Sequence, residues 1–160
     1  MNKLFRFGGL LAALLLSAGV YAGDIQIEGA WVRATAPGQE EASLDFSITS
    51  KQPAVLLGVS STVSGAVEMH SMTHEKGMMK MRQVESIEIP AGKRVNLGEG
   101  GYHLMLAGLK APLKAGENIP LTLTIKESNN RTVKIEARAE VKPLTATSTA
   151  KPEDGHKHQH

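Results

Sequence analysis

Apolar and polar residues alternate with a period of two along several short stretches of this chain. In DIQIEGAWVRA, Ile25 and Ile27 fall on one face. In PLTLTIK the same holds for Leu121, Leu123 and Ile125, and in TVKIEARAEV for Val133, Ile135, Ala137 and Ala139. Successive side chains of an extended chain point to opposite sides, so this alternation predicts strands buried on one face. Turn sequences separate the stretches: APGQE, SKQP, VSG, PAGK, GEGG, KAGE and SNN. No segment carries a long amphipathic helix pattern, and no repeat of solenoid or propeller length is present. Many short strands bounded by Gly, Pro and Asn predict an all-β, antiparallel sandwich or barrel. Within the first stretch Trp31 is expected in the core and Arg33 at the surface or in an ion pair.

The two ends of the chain break this pattern. The opening MNKLFRFGGLLAALLLSAGVYAGD has a positive end at Lys3 and Arg6, an apolar run from Gly8 to Val20, and a small-residue cleavage signal at Val20-Tyr21-Ala22. These are the parts of a secretory signal peptide, and the run is short for a membrane span, which needs about 20 apolar residues. Cleavage is expected after Ala22, releasing a soluble periplasmic chain that begins at Gly23. The folded unit is expected over residues 23–142. Beyond it, PLTATSTAKPEDGHKHQH has little to bury and predicts a flexible tail over residues 143–160, ending in His156, His158 and His160.

Charge then says little about partners. The chain has 18 basic and 16 acidic residues, and loss of Lys3 and Arg6 leaves the numbers equal. Neither nucleic acid nor an anionic membrane surface is implied. Cysteine is absent, which excludes disulfides, thiolate nucleophiles and thiolate metal ligands.

Methionine and histidine are distributed unevenly. Of the seven methionines one is the initiator, and five of the other six lie in MHSMTHEKGMMKMR, residues 69–82, together with His70 and His74. This segment reads as two strands around HEKG. His70, Met72 and His74 share one face of the first strand; Met79 and Met81 share one face of the second. A two-residue turn at Glu75-Lys76 sets His70 opposite Met81, whereas a three-residue turn that includes Gly77 sets it opposite Arg82. A one-residue slip flips every side chain, and only the wish to join His70 to Met81 favours the first register. A second cluster lies in GGYHLMLAGL, where His103 and Met105 project from one face of a strand and Leu104 and Leu106 from the other.

A lone Met is ordinarily core packing and a lone His a surface group. The polar neighbours Ser71, Thr73, Glu75, Lys76 and Lys80 show, however, that the Met-rich segment is not a core strand, so ligation explains its thioethers better. Thioether sulfur is soft and suits Cu(I), and a blue-copper site is excluded because it needs a thiolate.

At these positions the chain resembles the PCu(A)C-type periplasmic copper chaperones, whose signature is H-x10-M-x21-H-x-M. His70, Met81, His103 and Met105 fit both long gaps without adjustment. GAWVRATAPG and IEIPAGKRVNLGEGGYHLMLAGLKAPLKAGENIPLTLT also look like stretches of this family. Ala107 and Leu44-Asp45 depart from it, standing where a larger apolar and an aromatic residue are usual. The resemblance implies a cupredoxin-like β-sandwich, a Greek-key barrel, that binds Cu(I) through His70, Met81, His103 and Met105. It implies delivery of that copper to cytochrome c oxidase, at the CuA centre of its apo subunit, or to another copper-delivery protein. Met72 and His74 are candidates for an outer shell, and His156, His158 and His160 for a second site that takes Cu(II). The alternative is a periplasmic buffering or resistance protein that sequesters copper. An enzyme is not expected, since no all-His copper site and no acid–base pair is recognisable.

Overall fold

The computed structural model describes residues 20–98 and 100–144. Eleven strands make up the fold: β1 (Val20–Ala22), β2 (Ile25–Arg33), β3 (Glu41–Ser50), β4 (Ala54–Ser60), β5 (Ser64–Glu75), β6 (Met78–Gln83), β7 (Ile87–Ile89), β8 (Arg94–Leu97), β9 (Tyr102–Leu109), β10 (Asn118–Glu127) and β11 (Thr132–Lys142). Among the described residues there is no helix. β1 falls inside the segment expected to be cleaved, so a mature chain beginning at Gly23 would start with β2.

Nine strands follow one another by hydrogen bonding in the order β6-β5-β9-β3-β2-β11-β10-β4-β7, and β1 and β8 attach to β2 and β3. All pairs are antiparallel except β11 with β2, which run parallel. The long strands serve two neighbours in turn. β3 pairs β9 through Glu41–Leu44 and β8 through Phe46–Thr49. The sheet folds over on itself in this way, and a single buried cluster fills the interior.

The alternation in the sequence is the cause. Leu121, Leu123 and Ile125 of β10 face inward with no measurable exposure, as do Leu44 and Ile48 of β3 and Leu106 of β9. Each buried aliphatic side chain of this size contributes about 1.5–3 kcal/mol relative to leaving it in water. Ile135, Ala137, Ala139 and Val141 of β11 are also buried, while Val133 at its start packs against the core only in part.

Trp31 departs from expectation. Strand β2 pairs with β3 at Glu28↔Ser47 and next at Trp31↔Asp45, so Gly29 and Ala30 together oppose one residue. This is a β-bulge, and Gly29 adopts the positive φ of 62° that such a bulge favours in glycine. The extra residue shifts the alternation by one position for the rest of the strand. Ile25 and Ile27 point inward before the bulge, and Val32 does so after it. Trp31 therefore leaves the core for the outer wall. There Arg33 and Lys142 lie over its ring, with Arg33 Cζ 5.9 Å and Lys142 Nζ 4.7 Å from the ring centre, within cation–π range.

Candidate metal centre

The hairpin β5–β6 is built on a turn at Lys76 and Gly77, with φ values of 51° and 78°. Positive φ at both central residues is the signature of a type I′ turn, whose twist matches that of the flanking strands. Glu75 pairs with Met78 across it, which fixes the register as His74↔Met79, Met72↔Met81 and His70↔Gln83. Both registers considered from the sequence are thereby corrected: His70 faces neither Met81 nor Arg82. Lys-Gly is a weak turn signal beside Asn-Gly, so the turn sits one residue later than a turn at Glu75-Lys76.

Strand β9 completes the face. It pairs with β5 as His70↔His103 and Glu68↔Met105. The two imidazoles are thus direct cross-strand neighbours, and His103 and Met105 lie two residues apart on the same side of β9. Leu104 and Leu106 point the other way and are buried. Strands lie about 4.8 Å apart and rise about 3.4 Å per residue, which places Met105 about 8 Å from His70 at the backbone. His70, His103 and Met105 form a compact triad on this measure. Met81 also stands about 8 Å from His70, but on the far side, about 17 Å from Met105. Met72 lies between, two residues along from His70. All four sequence-predicted donors therefore share one face, and Met81 joins the other three only when the hairpin bends over that face.

The surroundings of His70 were not anticipated. Its side chain is 15% exposed, and Nε2 lies 3.4 Å from Glu68 Oε2. Nδ1 is buried and has no hydrogen-bond partner among the described residues. A buried polar atom without a partner is costly, on the order of 1–3 kcal/mol. A carboxylate on one ring nitrogen of a histidine, with the other nitrogen left open, is the arrangement that orients imidazole toward a metal. Glu68 was legible in the sequence, since it lies two residues before His70 and so on the same face.

The site is shallow. Met81 is 51% exposed, and His103 and Met105 are half-buried. His103 opens into a groove of about 460 Å³ shared with Trp31, Arg33, Asp45 and Leu144. Met105 opens into a neighbouring recess of about 530 Å³ along Glu41 and Ser43. Among the described residues no group of three or more His, Cys, Asp and Glu side chains is gathered around one point.

A family described as "Putative lipoprotein LpqE-like" matches residues 25–137. The chain belongs to the LpqE-like family. A curated relative from Leifsonia xyli subsp. xyli (strain CTCB07), named putative lipoprotein Lxx21020, is 33% identical over 126 residues, which cover 78% of this chain and 76% of the relative. Among solved structures, the copper-bound PCuAC domain from PmoF2 superposes with a TM-score of 0.58 at 26% identity, covering 79% of this chain and 99% of that domain. The CuI-DR1885 solution structure from Deinococcus radiodurans gives 0.53 at 33% identity, covering 73% and 77%. The fold of this LpqE-like chain is thus the cupredoxin-like sandwich of PCuAC domains, as its sequence suggests.

The LpqE-like chain has no cysteine, so no thiolate adds to the donors on this face. Among its described residues no helix is long and apolar enough to cross a membrane. His156, His158 and His160 lie outside the described residues. Met72 and His74 lie on the same face as His70, His74 exposed near the turn and Met72 half-buried beside His70.

Proposed function

We propose that this LpqE-like chain is an exported copper carrier. It takes Cu(I) on the outer face of β5, β6 and β9 and gives it up to a recipient protein. The observation that carries this reading is the open, buried Nδ1 of His70 directly across from His103. His70, His103 and Met105 supply the donors already gathered, and Met81 closes from the hairpin as the fourth. All four are uncharged, so a single positive charge is held without a thiolate, and Glu68 nearby offsets it.

Release follows from the same features. Met81 is exposed, and His103 and Met105 open onto two recesses, so a recipient's ligands can replace these donors one at a time. The apo CuA-bearing subunit of cytochrome c oxidase is the recipient this reading names. The leader at residues 1–22 supports a periplasmic setting. In this reading Glu68 orients His70, and the chain acts as a carrier rather than an enzyme. X-ray absorption on the Cu(I)-loaded protein tests the ligand set, with both nitrogen and sulfur scatterers expected. Mixing that protein with apo oxidase subunit tests delivery, and retention of copper by the carrier would indicate sequestration instead.

The terminal histidines have a separate role in this proposal, as a Cu(II) site. Truncation after Lys142 is expected to remove Cu(II) binding and to leave Cu(I) binding unchanged, read by metal titration of the two forms. Cu(II) uptake that survives truncation would end that division of labour.

A further inference from the structure

The β5–β6 hairpin is two-sided. Ser71, Thr73, Glu75, Met78, Lys80 and Arg82 alternate onto one side. There Glu75 takes both cations, with Lys80 Nζ at 3.0 Å and an Arg82 guanidinium nitrogen at 2.7 Å. The other side carries His70, Met72 and His74 on β5 against Gln83, Met81 and Met79 on β6. Met79 is 57% exposed and Met81 51%, so the core does not account for either. Within the paired strand residues 70–75 and 78–83 the charged groups, Glu75, Lys80 and Arg82, are confined to one side, and the soft donors continue past the triad toward the tip.

Register brings these donors close. Val84 N–H donates to the Met69 carbonyl at 2.9 Å, and Met72 N–H turns the other way, to the Gly101 carbonyl at 2.7 Å. The even-numbered β5 positions are therefore the non-hydrogen-bonded pairs of the hairpin, whose Cα atoms approach to about 4.5 Å with side chains closer still. His74 faces Met79 in one such pair, and Met72 faces Met81 in the next. An imidazole and a thioether are opposed at the tip, with two more thioethers one rung below.

We propose that the hairpin holds a second Cu(I) position, made by His74 and Met79, with the Met72–Met81 rung shared between it and the triad of His70, His103 and Met105. The inference rests on the copper-carrier reading of the triad and adds an ion to it. Donor chemistry selects the same soft, monovalent metal. The two positions lie four residues apart along β5, about 14 Å. This exceeds the screening length of about 8 Å at physiological ionic strength, so two monovalent ions repel each other little. An ion caught at the exposed tip moves inward by exchange of neutral donors: His74 and Met79 let go as His70 and His103 engage, and the Met72–Met81 sulfurs hold it in between. No electron or proton is transferred in the exchange.

The test is a Cu(I) titration of the full mature chain, carried to excess without oxygen, with the methionine ε-methyl groups labelled with ¹³C. Each methyl reports its own sulfur. Met105 is expected to shift first, and Met79 and Met72 with later additions. Met78, on the opposite side of the hairpin, and Met69, buried in the core, are expected to stay put. His74→Ala should abolish the Met79 response and preserve that of Met105, with the Met69 signal showing the fold intact. If Met79 moves no further than Met78 under excess Cu(I), the second position does not exist, whatever the triad does. If Met105 itself fails to respond, the carrier reading falls instead.

Discussion

A histidine with one ring nitrogen against a carboxylate and the other buried without a partner is the most informative residue of this protein. His70 takes its place from the alternation of β5, and Glu68 takes its place from the same alternation. Glu68 touches the imidazole without belonging to the proposed donors, and it acts by fixing the ring. Glu68→Gln keeps the shape and removes the charge, so Cu(I) affinity is expected to fall by about 10- to 100-fold. Competition with a chromophoric Cu(I) chelator measures this, and thermal stability should stay level because Glu68 is 41% exposed in its side chain. An unchanged affinity would mean that the carboxylate does not orient the ligand. At this scale the sequence was largely legible. His103 and Met105 could be assigned to one face of their strand by counting in twos, and His70 to one face of its own, but the pairing that joins the two strands is not written in either segment. Met81 could not be placed relative to them, because its position depends on a turn rather than on its own neighbours.

At the scale of elements, that turn decides the site. Gly77 takes its positive φ freely, whereas Lys76 does so at the cost any L-residue incurs there, about 1–2 kcal/mol. Asn tolerates the same conformation better, which is why Asn-Gly is the preferred type I′ pair. Lys76→Asn is expected to stabilise the hairpin by about 1 kcal/mol, and Gly77→Ala to destabilise it by about 1–2 kcal/mol. Hydrogen exchange at the β5 and β6 amides reads both. If Gly77→Ala left protection untouched, the turn would lie elsewhere and the register of β6 with it. Strands were the easiest part of the fold to read, since most bury one face and show it in their alternation. β6 was read from its methionines instead, being exposed along its whole length. The bulge at Gly29 was hidden, because glycine in a strand signals a bulge only once a partner strand shows two residues opposing one. The parallel pairing of β11 with β2 was hidden as well: it joins segments more than a hundred positions apart, and no local pattern records it.

For the whole molecule, the sandwich separates stability from the proposed metal chemistry along a single strand. β9 turns Leu104 and Leu106 into the core and His103 and Met105 out to the face proposed to bind copper. Leu106→Ala removes a fully buried side chain and is expected to cost about 2–5 kcal/mol. Thermal unfolding should show that loss, while the protein still folded binds Cu(I) as before. Met105→Ala is expected to do the reverse, weakening Cu(I) binding with little change in melting temperature. A Met105→Ala protein that melted as early as Leu106→Ala would show that the thioether is packing after all. A wall of buried leucines behind His103 and Met105 also means that these two proposed donors are held in place before an ion arrives.

The inserted residue in β2 has a reach beyond its own position. Val32 is the fifth residue after Ile27, an odd step, and a regular strand returns to the same face only after an even one. Space is no obstacle at Gly29, since nothing lies within 4 Å of where a Cβ would stand. Its backbone angle is the obstacle. A β-branched side chain there would favour ordinary pairing at unchanged length, and that pairing would turn Trp31 and the guanidinium of Arg33 toward the interior and Val32 out to solvent. The groove beside His103 would lose its aromatic wall with them. Removing Gly29 altogether makes the step from Ile27 to Val32 even, so both stay inward. At this one point the architecture tolerates a missing residue better than a larger one, and parity rather than volume is the quantity it protects.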